Sequence, residues 1–230
     1  MTRIGLVILN RNESDALPEI LPRIPFGEFV MHFAVDGRST DSSPEILRRY
    51  GIEVITQTAK GRGDAFRLAF EQAGDRVDAL VFFSPDGNED PADLPKFRSF
   101  LEAGSDMVIA SRMMEGAFNE EDMSWFRPRK WANLAFNWLA YLTWGRGQER
   151  VTDGINGYRA ITSDCWKKLD LDGPGYTIEY QSTIRAYKTS SLVSEFPTTE
   201  GQRIGGVSDA KAIRTGVEFL MLYWKELRGA

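Results

Sequence analysis

Short apolar runs recur through the first half of the chain, separated by stretches with helical spacing. Ile4 to Leu9, Phe29 to Val35, Ile52 to Ile55, Val77 to Phe83 and Asp106 to Ala110 are compact and β-rich. Their length suits buried strands. A helix is predicted from Ser14 or Asp15, with Pro18 near its start and Pro22 near its end. Ser42 and Glu45 have capping-box spacing, with Pro44 in the first turn. Gly61-Arg62-Gly63 opens a helix through Ala73 that places Phe66, Ala69, Phe70 and Ala73 on one face, and Pro91 opens another to about Leu101. Strands alternating with helices predict an α/β fold with a mostly parallel central sheet and right-handed crossovers.

After Ser111 the pattern changes. Residues 115–124 are polar and loop-like. A long helix is predicted over Arg129 to Trp144, with Trp131, Leu134, Ala135, Trp138, Leu139 and Leu142 at helical spacing and Gly145 and Gly147 ending it. Val151 to Ala160 reads as a turn and a strand, Gly175 to Lys188 as a helix, Leu192 to Phe196 as a strand and Ser208 to Leu227 as a final helix. No repeat or linker divides the chain, so residues 1–230 are expected to form one domain. The aromatic helix, beside Arg127, Arg129 and Lys130, has two readings: a core helix packed on the sheet, or a helix docked on a bilayer surface. Val217 to Trp224 is apolar on most sides and is expected to pack on a neighbour, a second subunit in a homodimer, or a membrane surface.

Composition narrows the function. The net charge of −5 over 230 residues gives no reason to expect nucleic acid. The one cysteine, Cys165, rules out an internal disulfide and fits a reducing compartment. The one histidine, His32, sits inside a strand pattern and reads as structural, so histidine-based catalysis and histidine-rich metal sites are not expected. The N-terminal residues lack the pattern of a signal peptide, and no apolar run reaches the ~20 residues of a spanning helix. A cytoplasmic location is therefore expected.

The candidate chemistry lies where strands end. Val35-Asp36-Gly37-Arg38-Ser39-Thr40-Asp41 follows the second strand, Ser84-Pro85-Asp86-Gly87-Asn88 the fourth, and Ser111-Arg112 the fifth. In an open α/β sheet these loops gather on one edge, where ligands bind. Asp86 and Asn88 offer hard oxygen donors to a divalent cation carrying phosphates; an ordinary strand-to-helix turn would use the same residue types. There is no G-x-G-x-x-G after the first strand and no G-K-[ST] phosphate loop.

Taken in order, these segments resemble the family-2 glycosyltransferases, and within them the polyprenyl-phosphate sugar synthases of the dolichyl-phosphate mannose synthase type. Val7 to Glu13 looks like the family's first strand ending in an Asn-Glu pair. Val35 to Asp41 resembles its V-D-D-G-S-T-D loop, Gly61 to Ala65 its glycine-containing helix entry, and Ser84 to Asn88 its D-A-D-L-Q. Ala110-Ser111-Arg112 resembles G-S-R, Val151 to Arg159 resembles V-T-D-P-T-S-G-F-R, Glu195-Phe196-Pro197 resembles E-V-P, and Arg203 to Ser208 resembles its basic, glycine-containing loop.

The resemblance implies a GT-A fold, with residues 1–112 as the nucleotide-sugar-binding half and 113–230 as the acceptor-side half. It implies inverting transfer of a hexose from a nucleotide diphosphate sugar to a polyprenyl phosphate, at the cytoplasmic face of a membrane. By position, Asn12, Glu13, Asp36, Arg38, Gly61 and Asp86 would bind the nucleotide sugar, and Asp86 and Asn88 would hold Mg²⁺ or Mn²⁺ on the diphosphate. Arg112, Arg129, Lys130 and Arg203 would hold the acceptor phosphate. Asp153 and Arg112 are the catalytic candidates, Asp153 either as a base for a hydroxyl acceptor or as an orienting group. Three positions depart from the pattern: Ser84 replaces the first Asp of the metal motif, Gly37 and Arg38 follow Asp36 in place of a second Asp, and Gly154-Ile155 replaces Pro-Thr. These departures keep two other readings open: a soluble family-2 transferase acting on a glycan or other hydroxyl, and a catalytically weakened nucleotide-sugar-binding protein.

Overall fold

The computed structural model describes residues 1–204 and 212–229. In chain order the elements are β1 (Ile4–Asn10), α1 (Leu17–Ile20), β2 (Met31–Asp36), α2 (Ser43–Arg49), β3 (Glu53–Thr56), α3 (Arg62–Ala73), β4 (Ala79–Phe83), α4 (Lys96–Glu102), β5 (Met107–Ser111), α5 (Pro128–Trp144), β6 (Arg159–Thr162), α6 (Ser163–Leu169), α7 (Thr177–Lys188), β7 (Val193–Pro197) and α8 (Ala212–Arg228). The seven strands form one sheet in the order β3-β2-β1-β4-β6-β5-β7. Every pairing is parallel except those of β6, which runs antiparallel to both β4 and β5. The fold is the predicted α/β class.

Successive strand residues point to opposite faces, and each face carries its own core. On one face Val7, Phe33, Leu80, Phe82 and Ile109 pack against Phe66 and Ala69 of α3 and Ile178 and Ile184 of α7. On the other, Ile4, Leu6, Ile8, Val81 and Phe83 pack against Leu17 of α1, Leu47 of α2 and Phe97 of α4. Phe66 stacks on Phe82 at 3.8 Å between centroids. His32 lies on β2 against Phe26, at 4.6 Å, and burial lowers its pKa. Cys165 is a buried thiol whose pKa burial pushes up to about 11.

Several local expectations changed. Ser42 makes no side-chain cap; Ser43 instead donates through its backbone N–H and its hydroxyl to Asp41. The helix expected after Pro91 is broken, with a 3-10 turn at Pro91–Asp93 before α4. The short helix α6, capped by Thr162, had no sequence signal strong enough to separate it from the strand before it. The start of the final helix expected at Ser208 lies outside the described residues.

The largest change concerns α5. Its buried residues are Asn133, Asn137 and Ala140. The predicted apolar stripe faces outward: Trp131 is 51% exposed, Trp138 46% and Leu142 72%. The stripe expected to face the core is therefore corrected: Phe136, Ala140, Tyr141 and Trp144 pack against the core instead. The helix packs on α7 and α8 through a face with polar residues at its centre, and displays much of its hydrophobic surface.

Candidate active site

Strand order reverses between β1 and β4. The C-terminal ends of those strands open a crevice of the kind where α/β sheets bind ligands. Asn10 closes β1, and its Nδ2 donates to Asp36 at the end of β2 at 2.7 Å. Asp36 also accepts from the backbone and hydroxyl of Ser39 at 2.9 and 2.6 Å. The Ser39 hydroxyl accepts from the backbone of Asn12 at 2.9 Å, and Asn12 Oδ1 accepts from the backbone of Thr40 at 2.8 Å. Asn12 and Arg38 both hold positive φ, 55° and 62°, so each reverses the chain at the strand edge. Arg38 donates through Nε to the carbonyl of Gln57 at 3.0 Å. Asn10, Asn12, Arg38 and Gln57 wall a cavity of about 1190 Å³, together with Gly61, Arg62 and Tyr176. Gly61 is required there: its φ is 105°, and a Cβ would meet the Pro174 carbonyl at 2.1 Å.

The loop after β4 forms the floor. Asp86 Oδ1 accepts from the backbone of Asn88 at 3.1 Å, and Asp86 Oδ2 accepts from Arg203 at 2.8 Å. Arg203 also pairs with Glu13 at 2.5 Å, so one guanidinium ties the end of β1 to the turn after β4. Glu13 is buried, and burial, with Asp86 nearby and Arg203 opposing, pushes its carboxyl up to about 7. Asn88 Oδ1 is buried and has no partner. Beside the Asp86 carboxylate, that orphaned oxygen fits a hard cation with bound phosphates, which needs few protein ligands. No three His, Cys, Asp or Glu side chains gather around a common point among the described residues.

A second cavity, about 540 Å³, adjoins the first. Both are lined by Arg62, Ser84, Asp86 and Tyr176. Arg62 pairs with buried Glu179 at 2.7 Å. The second cavity is walled by Arg112, Arg129, Asn133, Phe136 and Phe219. Arg112 reaches it over a fixed cradle. Its Nε and Nη2 donate to the two oxygens of Asp153 at 2.8 and 3.1 Å, its backbone N–H donates to Asp153 at 3.0 Å, and its Nη1 donates to Glu200 at 2.8 Å. Asn133 donates to Asp153 at 2.6 Å. Burial alone would raise the Asp153 carboxyl, but Arg112 and these hydrogen bonds hold it below its ordinary value. Asp153 is fully buried and lines neither cavity.

The turn at 152–154 is pinned from two sides. Glu195 accepts from the backbones of Thr152 and Asp153 at 2.7 and 2.9 Å. Asn137 accepts from Gly154 at 2.9 Å. A Cβ on Gly154 would meet that Asn137 oxygen at 2.5 Å, so the glycine that departs from the family pattern matches the close approach of α5.

The predicted residues thus divide between the cavities. Asn12, Glu13, Arg38, Gly61, Asp86 and Arg203 line the first, with Asp36 holding its loop; Asp86, Asn88, Arg112 and Arg129 line the second. Arg203, expected among the acceptor cations, stands on the first-cavity side. Lys130 lines neither cavity and is paired with Asp122 at 2.5 Å. Sequence reading missed Asn10, Arg62, Glu89 and Glu179. Arg62 was visible between two glycines at a helix entry; Glu179 lies in an ordinary helical stretch, and only its burial marks it.

Residues 6–160 match the Glycosyl transferase family 2 profile. The chain is 28% identical over 219 residues to Glycosyltransferase AglJ of Haloferax volcanii, covering 92% of this chain and 68% of that one. It is 25% identical to the undecaprenyl-phosphate mannosyltransferase of Micrococcus luteus, covering 98% of each. Among solved structures it is similar to glucosyl-3-phosphoglycerate synthase of Mycobacterium tuberculosis in complex with Mn²⁺, UDP-glucose and phosphoglyceric acid. That match has a TM-score of 0.71 at 18% identity and covers 96% of this chain and 77% of that one.

Proposed function

The chain belongs to glycosyl transferase family 2, and we propose that it moves a hexose from a nucleotide diphosphate sugar to a polyprenyl phosphate at a membrane surface. The observation that carries the acceptor is the second cavity. It places two arginines, Arg112 and Arg129, beside the apolar walls of Phe136 and Phe219. That pairing suits an anionic head on a hydrocarbon tail. The same helix α5 displays Trp131, Trp138 and Leu142 outward, and Trp125 and Phe126 just before it are 94% and 60% exposed. Exposed Trp beside Arg is the composition of a membrane-interface element. No described helix is long and apolar enough to cross a bilayer. The relative from Micrococcus luteus, named an undecaprenyl-phosphate mannosyltransferase, supports the same acceptor class.

The chemistry follows from the two cavities. The first takes the nucleotide, with the Asp36 loop at the base and ribose and Arg203 and Arg62 toward the diphosphate. Asp86 and Asn88 would hold Mg²⁺ or Mn²⁺, which supplies Lewis-acid neutralisation of the leaving diphosphate. An acceptor phosphate oxygen attacks the anomeric carbon, the bond from that carbon to the diphosphate oxygen breaks, and the nucleoside diphosphate leaves with the electron pair. A phosphate nucleophile is already anionic and needs no proton removed. Asp153 meets that requirement: its carboxylate is committed to Arg112 and Asn133 and acts as a positioning residue. A hydroxyl acceptor would need a base that Asp153, enclosed as it is, does not offer.

The test is a donor panel read by nucleotide release, with and without Mn²⁺, against a short-chain polyprenyl phosphate in detergent and a panel of glycan hydroxyl acceptors. Transfer to the lipid phosphate is expected. Transfer confined to hydroxyl acceptors overturns the acceptor; donor binding with no turnover on any acceptor favours a binding protein.

A further inference from the structure

The turn after β4 has lost one carboxylate and gained another. Ser84 stands where the resembled motif begins with Asp, and Glu89 follows Asn88. The structure folds Glu89 back: its carboxylate accepts from the backbone N–H of Ser84 at 2.6 Å. The charge missing from the Ser84 side chain is thus returned to the Ser84 backbone from five residues on. Gly87, with φ of 95°, makes the reversal, and a Cβ there would meet the Gln202 carbonyl at 2.9 Å. Gly201 donates to the Asn88 carbonyl at 2.9 Å and Ile204 to the Asp86 carbonyl at 2.8 Å, so the turn is clamped by the segment after β7. Ser84, Asp86, Asn88 and Glu89 line one stretch of cavity wall.

One buried oxygen at this wall, and another across Asp86 on the first cavity, lack a partner and point to a ligand. The buried Asn88 Oδ1 has no partner, and neither has Glu13 Oε2, in a side chain only 7% exposed and joined to Asp86 through Arg203. We infer that Glu89 supplies the second carboxylate of the divalent-cation site, in place of the aspartate that Ser84 lacks. The inference rests on the reading of this turn as the donor's metal site. The bond to Ser84 holds one carboxylate oxygen at the backbone and leaves the other for the cation. A second carboxylate oxygen, charged once the cation displaces its proton, strengthens a site otherwise built from one carboxylate and one amide, since affinity for a hard cation rises with ligand charge.

Mn²⁺ is the probe, its free concentration read by electron paramagnetic resonance with UDP or GDP present. The proteins are the wild type, Glu89→Gln, Asp86→Asn, and the double variant Ser84→Asp with Glu89→Gln, each checked for an unchanged thermal midpoint. Glu89→Gln is expected to weaken Mn²⁺ binding by at least about tenfold, and adding Ser84→Asp is expected to restore most of it. If Asp86→Asn weakens Mn²⁺ and Glu89→Gln does not, the inference is overturned. It is overturned as well if Glu89→Gln loses turnover while Mn²⁺ affinity stays intact, since Glu89 then acts on the acceptor. A loss that Ser84→Asp does not restore assigns the effect to a disturbed turn and also rejects it. A wild type that binds no Mn²⁺ with either nucleotide refutes the metal reading itself, a separate result.

Discussion

Helices α3 and α5 serve the two cavities from opposite designs. In α3 the inward face is Phe66, Ala69 and Ala73, all fully buried, while Glu71 is exposed. In α5 the inward side carries Asn133 and Asn137 beside Phe136 and Ala140, while Trp131, Trp138 and Leu142 point out. The first helix is held by hydrophobic burial. The second is held in part by hydrogen bonds to the 152–154 turn, including Asn137 Nδ2 to the Thr152 carbonyl at 3.1 Å and Gly154 to Asn137 at 2.9 Å. Buried amides are stable only when satisfied, and here Asn133 helps to fix the Asp153 carboxylate that holds Arg112 at the second cavity. The outward apolar face is left exposed. The first cavity sits at the edge of a conventional core; at the second, buried amides share the core-facing side of α5 with Phe136 and Ala140.

The sharpest break of this comparison is a pair of truncations. Phe66→Ala should destabilise the fold by about 3–5 kcal/mol, through lost transfer energy and an unfilled cavity. Leu142→Ser should stay within about 0.5 kcal/mol, as exposed substitutions do. Urea unfolding of both measures the contrast, and equal costs would mean that α5 is packed like α3.

Removing one partner of the buried ion pair comes next. Asp153→Ala leaves Arg112 and Asn133 facing an uncompensated gap and should cost about 3 kcal/mol of stability. In steady-state kinetics the same variant should raise KM for the acceptor more than for the donor. An equal change for both substrates would deny the division of labour between the cavities.

A smaller effect is expected at the outward face. Replacing Trp131 and Trp138 together by Ser should weaken partition onto anionic lipid vesicles about tenfold, because interfacial binding scales with buried apolar area. Cosedimentation gives the number, and donor hydrolysis in detergent should not change with it.

The smallest concerns pH. Glu13 has a folded carboxyl near 7, above its ordinary 4.5, because burial outweighs Arg203. Its folded state therefore holds the proton more tightly. That contribution is fully present below the ordinary value and is lost as pH rises through about 7. Unfolding free energy should fall on the order of 1 kcal/mol between about pH 5 and pH 8, and Glu13→Gln should flatten that slope. An unchanged slope in the variant would place the titration elsewhere.

Much of the first cavity was legible because its physics is local. Buried parallel strands read as short apolar runs, and the loops after them carry Asn12, Asp36 and Asp86 in fixed order. The family resemblance rested on those loops and on the turn at Asp153. Gly61 was also readable, since a glycine at a helix entry signals a close approach, here to Pro174. The periodicity of α5 was equally visible, but a stripe of Trp and Leu states only that one face is apolar. Which way that face points depends on what the other face bonds, and Asn133 and Asn137 meet Asp153 and Gly154 from sequence separations of 20 and 17 residues.

The chain's own pattern therefore determined the α/β class, the strand-end loops and the family to which they belong. Tertiary structure alone decided that Arg203 bridges Glu13 and Asp86, 190 and 117 residues away in sequence. It also decided that Asp153 is enclosed, that Glu89 returns to Ser84, and that the aromatic helix turns its apolar face outward. The reason is range. Hydrophobic periodicity and turn chemistry act between near neighbours, whereas the partner of a buried charge is chosen by whatever the fold brings beside it.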